Sequence, residues 1–130
     1  MKLSIDSINE LGSSVGTPIR KTVEWKLVTV DDDGEVKSVE DVTTEVYIRQ
    51  PSCLSAFKDL AAISASGDAP EERASFTAER IASYVCDKDG AQIFTPEDIS
   101  GSERLPKGMP FNLMSAIGMA INEVTQLGND

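Results

Sequence analysis

The stretch Ser83-Tyr-Val-Cys-Asp-Lys-Asp-Gly-Ala-Gln-Ile-Phe-Thr-Pro-Glu-Asp-Ile99 decides how the rest of the chain is divided. Asp87-Lys88-Asp89-Gly90 is turn chemistry, because aspartate side chains bond their own backbone and glycine accepts positive φ. Gln92-Ile93-Phe94 reads as extended, with Ile93 and Phe94 as anchors for the core. Thr95-Pro96-Glu97-Asp98 reads as a helix start: Thr95 as N-cap, Pro96 at the first helical position, acids in the first turn. The segment closes one helix at Cys86 or Asp87, turns, and opens another. It is a joint between what precedes it and a strongly apolar helix beyond.

Upstream, Thr22–Val30 alternates: Val23, Trp25 and Leu27 face one way, and Thr22, Glu24 and Lys26 the other. The alternation slips at Leu27-Val28, which predicts a bulge or two-sided burial. Asp31-Asp32-Asp33-Gly34 is a turn with Gly34 left-handed. Val36–Val39 begins the return, and Val42, Thr44, Val46 and Ile48 continue it in alternation with Thr43, Glu45, Tyr47 and Arg49. Residues 22–49 therefore read as an antiparallel meander of two to three strands, which Pro51 ends. Such a sheet needs helices on its apolar face. Residues 1–21 read as a flexible arm: Leu3, Ile5 and Ile8 suit a short strand or a half-docked tail, and residues 12–16 have linker composition.

The remainder, 52–127, reads as three to four helices. Ser52 caps the first, whose apolar stripe is Leu54, Phe57, Leu60 and Ala61. Ser66-Gly67 breaks it. Asp68 caps the next, with Glu71 closing a capping box, Ala74, Ala78, Ile81 and Val85 as its stripe, and Glu71, Glu72, Arg73, Glu79 and Arg80 on its wet side. After a short helix to Ser100 and a loop from Gly101 to Gly108, Pro110 opens a last helix to Leu127, with Gly128 placed to stop it. Its apolar residues wrap more than half its circumference, whereas a surface helix needs about a 100° stripe. Either another chain covers the excess, which we favour in a domain this small, or this is a central core helix. The fold class is α+β, with residues 22–130 as one domain.

The chain has 130 residues, 22 acids against 12 Lys and Arg, a net charge of −10 and no histidine. That balance argues against nucleic acid and against anionic membrane surfaces, both of which ask for Lys and Arg. No apolar run approaches the roughly 20 residues that span a bilayer, and the N-terminus lacks a signal-peptide core. The expectation is a cytoplasmic protein with Cys53 and Cys86 reduced and buried on separate helices. Without histidine there is no Ser–His or Cys–His pair and no Cys–His zinc site. There is no glycine-rich nucleotide fingerprint. Asp87-Lys88-Asp89 begins like a calcium loop, but Ala91, Gln92 and Asp98 stand where the pattern wants an acid or Asn, Gly and Glu. No catalytic residue, cofactor or metal is expected.

Two pieces carry a family resemblance: Glu45-Val-Tyr-Ile-Arg-Gln-Pro-Ser52, ending a small N-terminal sheet, and Val85–Ile99, followed by an apolar last helix with Asn122-Glu123-Val124. Together they resemble the tail assembly chaperones of long-tailed, lambdoid-type bacteriophages, in which an Asp-x-x-Gly turn followed by a Phe-Thr-x-x-Asp helix start joins the helical region to the last helix. The resemblance covers residues 22–127. It implies a non-catalytic protein of the infected host cytoplasm, absent from the mature virion, which holds the tape measure protein and helps recruit tail tube subunits. It also implies self-association and a longer frameshifted product, with Asp130 near the junction. The family implies a more continuous helical connection than the loop Gly101–Gly108. The surplus on the last helix fits this role, and Phe111, Met114, Ile117, Ile121 and Val124 are the candidate interface for self-association or client binding. The rival readings are an acidic inhibitor that mimics DNA and a structural head–tail component of the virion.

Overall fold

The computed structural model describes residues 2–10, 17–65 and 69–126. The expected linker at 12–16, the break at Ser66-Gly67 and the Gly128 stop lie outside that set, as does Asp68 itself; the helix expected to start from an Asp68 cap with a Glu71 box instead has Ala69 as its N-cap, Pro70 at its first position and no side-chain cap bond. The elements run α1 (Ile5–Glu10), β1 (Ile19–Val30), β2 (Val36–Ile48), α2 (Cys53–Ala65), α3 (Pro70–Tyr84), β3 (Val85–Cys86), α4 (Pro96–Ser100) and α5 (Phe111–Thr125). The sheet is antiparallel in the order β1-β2-β3. The fold is the α+β arrangement that the pattern implied.

The hairpin forms because its turn is specified locally. The Asp31 carboxylate accepts from the Asp33 and Glu35 amides, both at 2.9 Å, and Gly34 takes φ 82°. The register is continuous from Ile19↔Ile48 to Thr29↔Ser38. The one irregularity falls between Thr29 and Val30, so the slip at Leu27-Val28 makes no bulge there. Both residues are exposed instead, because the tip of the hairpin, from Leu27 round to Val39, extends beyond the helices.

The base of the hairpin carries the core. Val23, Val46 and Ile48 face Ala78, Ile81 and Tyr84 of α3, Val85, Ile99, Met109, and Ile117, Ala120, Ile121 and Val124 of α5. The excess apolar surface of α5 therefore lies largely in this chain's own core. Phe111 and Met119 remain exposed at its fringe.

Two local expectations need correction. The helix before the joint ends at Tyr84, and Val85-Cys86 is a strand paired with Ile48 and Tyr47. Val85 is thus a buried strand residue and not part of a helical stripe, as suits a β-branched side chain at a helix end. Residues 5–10 are helical and not a strand, with Ser4 and Ser7 exchanging side-chain bonds to each other's amides at 3.0 and 2.9 Å.

The joint repeats the hairpin turn. The Asp87 carboxylate accepts from the Asp89 and Ala91 amides, both at 2.9 Å, and Gly90 takes φ 88°. The aspartate that began like a calcium ligand is thereby spent on its own backbone. Cys86 bridges to Gln92, after which the chain runs through an exposed Ile93 and a half-buried Phe94 to Thr95. Only Phe94 serves as the anchor expected of both.

Candidate protein-binding surfaces

α2 sits on the body the other way round from the expected packing. Its apolar stripe turns away from the core: Leu54, Phe57 and Leu60 are 65%, 65% and 61% exposed. Among the described side chains, Asp59 on its polar side makes the bonds that attach it. Asp59 accepts from the Tyr84 hydroxyl at 2.8 Å and pairs with Arg80 Nε at 3.7 Å. Arg80 also lies 5.7 Å over the Tyr84 ring and donates to Asn122 of α5 at 2.7 Å. Arg80, expected on the wet side of its helix, is half-buried at the meeting of α2, α3 and α5. Contiguous exposed apolar side chains of this kind mark places where proteins meet.

The five candidate interface residues on α5 are not exposed together as one face. Ile117, Ile121 and Val124 are buried, Met114 is half-buried against the core, and Phe111 is 72% exposed. Sequence reasoning passed over Leu54, Phe57 and Leu60 as binding residues because a regular stripe is the ordinary sign of a buried face. The signal that reverses it is the Asp59–Tyr84–Arg80 cluster, in which Asp59 lies 25 residues from Tyr84 in the chain.

Titratable groups with altered behaviour are structural. Asp98 is 2% exposed; its carboxylate accepts from Arg104, from the Ser102 hydroxyl at 2.6 Å and from the Thr95 amide at 2.9 Å. Arg104 above all, with Ser102 and Thr95, holds this carboxyl far below the usual range. Thr95 and Asp98 form a capping box for α4, and the same carboxylate ties down the loop that follows. Burial pushes the Cys86 thiol up, with the Arg49 guanidinium beside it offsetting part of the effect. Among the described residues no cluster of acids and cysteines could hold a metal, and no helix is long and apolar enough to cross a membrane.

A small α+β body that presents apolar helical side chains to solvent is a protein-binding module. A family model for phage tail assembly chaperones (TAC) matches residues 6–125, and the chain belongs to that family. No curated protein and no solved structure matches it significantly.

Proposed function

We propose that this protein acts without catalysis as a holder of the tape measure protein during tail morphogenesis and helps bring tail tube subunits to it. Family membership supports the tail assembly role. The observation that carries the finer reading is the outward face of α2, since Leu54, Phe57 and Leu60 at three-residue steps suit the apolar stripe of a helical client. Exposed Phe111 on α5 supplies a second contact for the client or another copy; Ile117, Ile121 and Val124 would join an interface only if the core opened. The net charge of −10 keeps such surfaces from driving precipitation. The protein works in the host cytoplasm, alone or with a longer frameshifted form, and leaves before the virion is complete.

Co-expression with the tape measure protein tests this. The wild-type chain should raise the soluble fraction of the client, and the double variant Leu54→Glu/Leu60→Glu should fold and lose that effect. A folded double variant that still keeps the client soluble would overturn the assignment of α2. Mass spectrometry of purified particles should find no copy of the chain.

A further inference from the structure

β3 is two residues long, and the consequences of its brevity fall on β2. The Arg49 amide donates to the Tyr84 carbonyl at 2.8 Å, and Tyr47 pairs with Cys86. Odd-numbered residues at this end of β2 thus turn their backbone groups toward β3, as the alternation of an antiparallel ladder requires. Glu45, Thr43 and Asp41 follow on the same edge. Among the described residues no strand lies beside them, because the Asp87–Ala91 turn diverts the chain at Cys86. At the Glu45 end of this open edge lies a predominantly apolar cavity of about 380 Å³, lined by Val46, Val85, Phe94, Met109, Leu113 and Ile117 and rimmed by Thr44, Glu45 and Lys88.

We propose that this edge and its groove receive an extended segment of a different protein, which continues the line of β3 along Glu45, Thr43 and Asp41. The open ladder asks for an extended backbone, and alternate side chains of that segment turn to the groove's face of the sheet, entering it at the Glu45 end, so those are apolar. The intervening residues are basic or neutral. They meet Glu45 and Asp41 on a chain of net charge −10; Arg20 and Lys26, the ion-pair partners of those acids, stand on their β1 side, and Lys88 stands at the groove's rim. A second copy would bring a further −10. Its other long strand edge, on β1, is obstructed where the Asn112 side chain donates to the Lys26 carbonyl at 2.8 Å. None of the cavity's lining comes from α2, so this site stands apart from the surface assigned to the client helix.

The probe is a capped heptapeptide of alternating lysine and valine, titrated into the full-length ¹⁵N-labelled protein. Two controls accompany it: the same composition with the valines contiguous, and the alternating peptide with N-methylated backbone. The alternating peptide should slow amide exchange at Asp41, Thr43 and Glu45 and shift Phe94 and Leu113. Both controls should bind about tenfold more weakly or worse. Thr43→Pro removes one donor from the open edge while leaving the β1 pairing intact, so the variant should fold and lose the peptide. Leu54→Glu/Leu60→Glu should bind it normally. Equal binding of all three peptides, or none up to millimolar concentration, overturns the proposal. Protection of the same amides that rises with protein concentration alone also overturns it, by giving the edge to a second copy.

Discussion

At the scale of single residues, Asp98 shows how a capping position becomes a structural centre. Its folded carboxyl titrates below the ordinary value of 3.8, with Arg104 as the main cause. The unfolded chain therefore binds the proton more readily, and the stability from this group is present above about pH 4 and lost as pH falls below it. Urea midpoints measured through the acid range should fall less steeply with pH in Asp98→Asn than in the wild type. Gly108 supports the same loop from the other side: it takes φ 71°, and a Cβ there would meet the Ile99 carbonyl oxygen at 2.6 Å. Gly108→Ala should therefore cost at least about 1–3 kcal/mol by denaturant melt. Cys86, buried and with its thiol pushed up, should react with an alkylating reagent far more slowly in the native protein than in urea. A Cys53→Ser background isolates that signal. The Thr95 cap was legible in the sequence because its partner lies three residues away. The burial of Asp98 was not, because Ser102 and Arg104 lie in a loop with no regular pattern.

At the scale of elements, α2 and α5 exchange the roles that their patterns suggested. Ile121 is fully buried, so Ile121→Ala should cost about 2–5 kcal/mol, and charged substitutions at Ile117 and Ile121 should unfold the chain. Leu54→Ser or Leu60→Ser should change stability by only about 0.5 kcal/mol in either direction, since both side chains stay largely in water on folding. Asp59→Ala should release α2 selectively: hydrogen exchange should quicken there while α5 stays protected. Uniform quickening in both would refute the view of Asp59 as a local fastening. A stripe of Leu, Phe and Leu reports that a helix has an apolar face. It does not report which way that face is turned, and here an ion pair and a tyrosine hydroxyl turn it outward.

At the scale of the whole molecule, the hairpin base, α3, α4 and α5 form one packed body, and the hairpin tip and α2's apolar face project from it. The tip amides, from Leu27 to Val39, should exchange faster than those paired between Ile19 and Trp25 on β1 and Val42 and Ile48 on β2, because no helix packs on the tip. By itself the sequence determined what closes over a few residues: the two Asp-x-Asp-Gly turns, the Thr95–Asp98 cap, the alternation that pairs β1 with β2, and the motifs that resemble tail assembly chaperones. Only the tertiary structure decided that Val85-Cys86 is a strand, that Asp98 is buried, that α5 fills the core and that α2 faces out. The reason is distance along the chain. A turn or cap finds its partner within about four residues, whereas Tyr84 finds Asp59, Arg80 finds Asn122 and Asn112 finds Lys26 across 25, 42 and 86 positions. Contacts of that separation exist only once the chain has folded.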